Sequence, residues 1–232
     1  MGLFITLEGP EGSGKSTQAR RLYEHLEAAG YSTILTREPG GTRIGDLIRS
    51  VLLDPAHTEM TAATETLLFS ASRAQLVAEQ IRPQLERGGI VVCDGFADST
   101  YAYQGFGQGR DLDELRVVTE IATGGLCPDL TIYLDLPVWE GLERKRAASK
   151  QLSAPSDPGR TSVESAEWNR LDAREVAFHE RVRQGYQTLI AAEPERWLVC
   201  DGRLDRDLLA DMIWQQLERR IAHLNSSTGA TS

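Results

Sequence analysis

Five short apolar runs punctuate the chain, and the stretches between them carry hydrophobic residues at helical spacing. Leu3 to Leu7 is the first run. A glycine-rich turn then leads into "KSTQARRLYEHLEAAG", where Leu22, Leu26 and Ala29 recur on one helical face and Gly30 supplies the stop. "YSTILT" (31–36) reads as the second strand, a loop with Pro39, Gly40 and Gly41 follows, and "IGDLIRSVLL" reads as a short helix. The stretch "ATETLLFSASRAQLVAEQIRPQLERG" predicts a long helix that Pro83 should kink or split near Arg82. "IVVCD" (90–94) and "LTIYLD" (130–135) are unbroken apolar runs, the mark of strands buried on both faces, with the helical "LDELRVVTEIATGG" between them.

A helix starts at Pro137 in "PVWEGLERKRAA" and runs into "SKQLSAPSDPGRTSVESA", rich in Ser, Pro and Gly. A loop that long inside a compact domain reads as a lid, spanning about 144–170. Its centre, from about Ser149 to Ser165, offers little apolar surface to offset ordering and should be mobile. The helical pattern resumes from about Ala166 through "REVAFHERVRQGYQTLIAAEP", followed by a fifth strand, "WLVCDG", and a closing helix, "RDLLADMIWQQLERRIAHL". Strands alternating with helices predict an α/β fold: a five-stranded parallel sheet covered by helices on both faces, with ligands at the carboxyl ends of the strands. Residues 1–224 read as a single domain and 225–232 as a disordered tail.

At 232 residues, with 41% hydrophobic and 25% charged residues, the chain can bury a proper core. A net charge of -9 argues against nucleic acid or an acidic membrane as the main partner, and no apolar run is long enough to span a bilayer. The start of the chain lacks a secretory pattern, so the cytoplasm is the expected compartment, where Cys93, Cys127 and Cys200 read as reduced core thiols. An anionic small molecule remains compatible with a negative protein, because a few local cations and oriented amides suffice to grip it.

The chemistry begins at Gly9-Pro10-Glu11-Gly12-Ser13-Gly14-Lys15-Ser16-Thr17, which fits G-x-x-x-x-G-K-[ST] between a predicted strand and a predicted helix. Its glycines let successive N–H groups face phosphate oxygens, Lys15 adds a cation, and Ser16 can ligate Mg²⁺, so the segment reads as a nucleoside triphosphate site for ATP. Asp94 ends a buried strand of the same sheet, where a carboxylate either joins the magnesium shell, orients an acceptor or caps the next turn. "TREPGGT" places Arg37 and Glu38 on a constrained turn, with Arg49 on the helix beyond, a set able to hold a second phosphate. Phe69 and Arg73 are four apart, so an aromatic plane and a planar donor fork point the same way, as suits a flat heterocycle; a core Phe beside a surface Arg gives the same spacing. Thr100, Tyr103 and Gln104 add polar groups from what reads as a loop after Asp94.

Taken together, "EGPEGSGKST", "TREPGGT", "LLFSASRAQL", "CDGFADSTYAYQG", "PDLTIYLDLP" and "FHERVRQGY" resemble bacterial thymidylate kinases over nearly the whole chain. The resemblance implies an adenylate-kinase-like fold, usually a homodimer, that transfers the γ-phosphoryl of ATP to dTMP with Mg²⁺. It implies that Phe69 stacks on thymine, that Arg73 and Gln104 bind its edge, and that Thr100 lies beside the base. Glu11 would contact the sugar hydroxyl, while Arg37 and Arg49 hold the monophosphate with Glu38 nearby. Gly12 stands where one branch of the family has a catalytic arginine, so the chain is similar to the branch that carries it in the lid, with Arg144, Arg146, Arg160 and Arg170 as candidates. The departure is Gly95, where relatives read Asp-Arg-Tyr or Asp-Arg-Phe. Since relatives place arginine there, backbone geometry is not the expected reason for the glycine. A slow enzyme is the expectation; a nucleotide-binding module without catalysis and a kinase of another nucleoside monophosphate are the alternatives.

Overall fold

The computed structural model describes residues 2–152 and 169–228. Its five strands are β1 (Leu3–Glu8), β2 (Thr33–Arg37), β3 (Ile90–Asp94), β4 (Leu130–Asp135) and β5 (Trp197–Asp201). They form one parallel sheet in the order β2-β3-β1-β4-β5. Alternation along the strands divides the core. Ile5, Leu7, Val92, Ile132 and Leu134 face helices α1 (Lys15–Ala28) and α9 (Arg206–Thr228), meeting Leu22, Leu26, Ile213 and Leu217. Phe4, Val91 and Cys93 face the other way, against Leu76, Val77, Ile81 and Phe96. Both faces of the central strands are buried, so each large apolar side chain there contributes about 2 kcal/mol of burial, and a charge at Leu7 or Leu22 would break the layer.

Seven further α-helices lie among the described residues. They are α2 (Arg43–Leu53), α3 (Ala62–Leu76), α4 (Arg82–Glu86), α5 (Ala97–Thr100), α6 (Leu112–Thr123), α7 (Val138–Leu152) and α8 (Val176–Ala192). Between α3 and α4 lies a π-helical turn, Val77–Ile81. Such a turn absorbs the missing N–H and the ring of Pro83 by widening the helix just before it, so the expected break is a bulge rather than a stop.

Four expectations from sequence need correction. The segment after Asp94 is helical, not a loop: α5 continues into a π-helical turn, Tyr101–Gly107. It carries no proline, and Ala102 and Tyr103 pack on Phe178, Val182 and Tyr186 of α8, a long-range contact that decides the local conformation. The front of the expected lid is also helix, since α7 reaches Leu152 through a segment free of Gly and Pro. Most of the rest, residues 153–168, lies outside the described residues. Past it the chain turns from Asn169 to Arg174, and the helix expected from about Ala166 begins at Val176. Finally, α9 extends to Thr228, into the expected tail, because no glycine interrupts it before Gly229. Cys93 and Cys200 are buried as free thiols, whereas Cys127 is exposed.

Candidate active site

The loop between β1 and α1 follows from its glycines. Gly14 caps α1 in the left-handed region at φ +94, leaving the first-turn N–H groups of α1 open to an anion. Lys15 Nζ lies within the loop, donating to Gly9 O at 2.8 Å and Pro10 O at 3.0 Å. A Cβ on Gly12 would lie 2.1 Å from Gly141 O on α7, so a side chain at this position is excluded unless α7 moves. That close approach of two glycines brings Arg144 and Lys145, one turn further along α7, to the edge of the loop.

Ser16 Oγ donates to Asp94 Oδ2 at 2.5 Å, joining the first turn of α1 to the end of β3. A hydroxyl and a carboxylate on rigid elements fit Mg²⁺, which keeps most of its shell as water and phosphate oxygen and needs few protein ligands. No group of three or more His, Cys, Asp or Glu suited to a metal occurs among the described residues.

One cavity of about 1300 Å³ joins this loop, including Ser13 and Thr17, to Arg37, Glu38, Arg49, Phe69, Arg73, Thr100, Tyr103 and Gln104. Arg37 and Arg49 converge there: a Cβ on Gly40 would lie 3.5 Å from Arg49 Cδ and 3.6 Å from Arg37 Nε. Asp46 sits 3.7 Å from Arg37, and Arg49 Nη1 donates to Pro39 O at 2.9 Å. Glu38, between these arginines and α3, holds Arg73, accepting from Nε at 2.8 Å. Burial pushes Glu38 up to about 7 against the pull of Arg73. Arg73, 1% exposed, also donates from Nη2 to Phe96 O at 3.2 Å and to Thr100 Oγ1 at 3.0 Å. Its Nη1 is buried without a hydrogen-bond partner among the described residues. Phe69 is half-buried on the same face of α3, so the spacing of the pair does bring both to the cavity.

Several important groups escaped sequence reasoning. Glu8, fully buried at the end of β1, accepts from Phe96 N at 2.8 Å, Ser99 Oγ at 2.6 Å and Tyr186 OH at 2.8 Å. It thereby fixes the turn that follows Asp94. Burial, helped by Asp98, pushes Glu8 up to about 7 despite those three donors. Its signal was a carboxylate closing an otherwise apolar strand, "LFITLE". Lys145 bridges Glu11 Oε2 at 3.0 Å and Asp172 Oδ1 at 2.7 Å, while Tyr103 OH donates to Glu11 Oε1 at 3.1 Å. Burial opposes ionisation of Glu11, yet Lys145 and Lys15 hold it well below the usual carboxylate range; burial and the nearby Glu11 push Asp172 up. Both Glu11 oxygens are therefore engaged within the protein.

The four arginine candidates separate. Arg144 lines the cavity and donates to Gly202 O at 2.9 Å and Glu140 Oε1 at 2.6 Å. Arg146 is exposed on α7 and is not among the residues lining that cavity. Arg160 lies outside the described residues. Arg170 is buried, 2.5 Å from Glu65 and donating through Nε to Leu52 O at 2.9 Å, so it serves as an anchor in this conformation. Gly95 adopts φ +81, which corrects the expectation that geometry does not favour glycine there. A Cβ would meet only Glu38 O at 3.5 Å and Ser99 Oγ at 3.7 Å, so space is available and the backbone conformation is what a side chain would strain.

Two anion-gripping ends on one cavity, amides and Lys15 at one and arginines at the other, with a metal-competent pair between, define a P-loop phosphotransferase acting on a phosphorylated small molecule. The family model for thymidylate kinase matches residues 7–213. Over 224 residues the chain is 60% identical to a thymidylate kinase of Roseiflexus sp. (strain RS-1), covering 97% of both chains. It is 48% identical over 219 residues to one from Deinococcus radiodurans, covering 94% of this chain and 98% of that one. The crystal structure of thymidylate kinase from Ehrlichia chaffeensis superposes with a TM-score of 0.71 at 28% identity, over 94% of this chain and 98% of that one. The chain belongs to the thymidylate kinase family.

Proposed function

We propose that this cavity carries out transfer of the γ-phosphoryl group of ATP to dTMP, releasing dTDP and ADP, through the residues assembled above. In this reading the loop from Gly9 to Thr17 holds the triphosphate, Arg37 and Arg49 hold the acceptor phosphate, and Phe69, Arg73 and Gln104 hold the base. Ser16 and Asp94 would hold Mg²⁺, which would supply charge neutralisation at the outer phosphates. The protein's own share is positioning: Lys15 and Arg144 bring positive charge to the transferring group, and Glu8 holds the turn beyond Asp94 in register. The observation that carries the reading is the orphaned, buried Arg73 Nη1 on the wall of a cavity that also contains the phosphate loop. A carbonyl oxygen of a flat base satisfies it. A coupled assay of ADP release with dTMP as acceptor tests the reaction. A slow version of it is part of this reading, because Gly95 stands where the family resemblance leads one to expect an arginine.

A homodimer in the cytoplasm belongs to the same reading. No described helix is long and apolar enough to cross a membrane. Ile44, Leu47 and Val51 of α2, Leu67 of α3, and Val117 and Ile121 of α6 are all exposed, Ile121 by 79%. α3 packs against both α2 and α6, so these side chains lie on adjacent helices, and an apolar face of that kind supports self-association. Sedimentation of the wild type and of a Leu67→Glu/Ile121→Glu variant tests it: a dimer and a monomer are the expected results.

A further inference from the structure

Glu65 lies on α3 one turn before Phe69 and two before Arg73, on the face that meets the cavity, and it is fully buried. Its Oε1 accepts from Gln104 Nε2 at 2.8 Å and also from Gln108 Nε2. Its Oε2 lies 2.5 Å from Arg170 Nη2 and 3.3 Å from Arg174 Nη2. Between two guanidinium groups and two amides, Glu65 offers acceptors only. The Gln104 amide is therefore fixed: turning it over would set its oxygen against a carboxylate oxygen in a buried site. With NH2 committed to Glu65, the acceptor Oε1 is the pole of Gln104 left for a ligand, and Gln104 lines the cavity.

The neighbouring pole has the opposite character. Arg73 Nη2 donates to Thr100, one helical turn before Gln104, and its Nη1 is the unpartnered donor. A donor beside an acceptor matches the O4 and N3–H of thymine. Cytosine presents an amino group and a bare N3 along that edge, so both contacts are mismatched. We propose that Glu65 is a specificity-determining positioning residue, which selects thymine over cytosine by locking the orientation of the Gln104 amide. The proposal rests on the reading that Gln104 and Arg73 meet the base.

The test compares kcat/KM for dTMP and for dCMP in the wild type, Glu65→Gln and Gln104→Ala, with KM for ATP and Tm as controls. Glu65→Gln keeps the size of the side chain but gives it an amino pole, so Gln104 can face either way. The dTMP to dCMP ratio is expected to fall roughly tenfold or more, through KM for the acceptor, with KM for ATP unchanged. Gln104→Ala should lose the same discrimination, and the double variant little more. If Gln104→Ala loses the ratio while folded Glu65→Gln keeps it, the proposal for Glu65 is overturned. A Gln104→Ala variant that keeps the ratio overturns the underlying placement of the base instead. Should Glu65→Gln fail to fold, Glu65→Asp carries the test: it keeps the charge for Arg170 and Arg174 but withdraws the acceptor from Gln104, and the same fall or constancy of the ratio decides.

Discussion

Ser16 Oγ and Asp94 Oδ2 are 2.5 Å apart, so the phosphate loop on β1 and the carboxyl end of β3 share one hydrogen bond at the centre of the cavity. As residues that would hold Mg²⁺ when ATP is bound, Ser16 and Asp94 act in turnover rather than in base binding. Asp94→Asn is expected to lower kcat by about 10²-fold or more while dTMP affinity changes by less than about threefold. Steady-state kinetics with calorimetric titration of dTMP checks both halves. A variant with normal kcat would remove Asp94 from the metal site.

Arg144 and Arg170 should respond differently to alanine. Arg144 lines the cavity beside the phosphate loop, so Arg144→Ala is expected to lower kcat at least about tenfold with dTMP affinity little changed. Arg170 is one partner of a buried ion pair with Glu65, and its removal leaves a buried charge with fewer partners. Arg170→Ala should therefore cost about 2–4 kcal/mol of stability, read by urea denaturation. The reverse pattern, a stable but inactive Arg170→Ala and a neutral Arg144→Ala, would exchange the two roles.

How much of this was visible beforehand depends on the range of the interaction. β3 and β4 were legible as apolar runs because both faces of a central parallel strand are buried, and the phosphate loop was legible because its glycines, lysine and serine act within eight residues. Phe69 and Arg73 were legible from a four-residue spacing. The clasp of Lys145 on Glu11, 134 positions apart, has no local signature, and neither does the anchoring of Arg170 by Glu65. Glu65 is a partial exception: it stands four residues before Phe69 on an inward face, where an unpaired carboxylate would be costly. The helix after Asp94 was missed because its stability comes from packing on α8, not from its own residues.

The glycine at 95 offers a gain-of-function test. Gly95→Arg supplies the cation that the family resemblance leads one to expect there, and kcat/KM for dTMP is expected to rise at least about tenfold, worth ~1.4 kcal/mol in the transition state. Because φ is +81, the same change should cost roughly 1–2 kcal/mol of folding stability. Thermal denaturation alongside the kinetics reads both. A folded variant with unchanged or lower kcat/KM would mean that another cation already fills the role.

Glu8 makes a pH-dependent contribution to folding. Its carboxyl titrates near 7 in the folded chain against 4.5 for the free group, so folding takes up a proton between those values. The stabilising contribution is complete below 4.5 and is lost as pH rises through 7. Glu8→Gln removes this dependence while keeping an acceptor for Phe96 N. Relative to the wild type, the variant should gain about 2.5 kcal/mol between pH 5 and pH 8, measured by urea denaturation at both. A difference that stays constant across that range would show that Glu8 is ionised throughout.

The most direct measurement is the initial rate of nucleoside diphosphate formation with Mg·ATP and each of dTMP, dCMP and dGMP as acceptor, for the wild type and Lys15→Ala. The account predicts that dTMP has the highest kcat/KM, that the reaction requires Mg²⁺, and that Lys15→Ala loses at least about 10²-fold. No dTDP above blank at any dTMP concentration, or equal rates for the three acceptors, would contradict it.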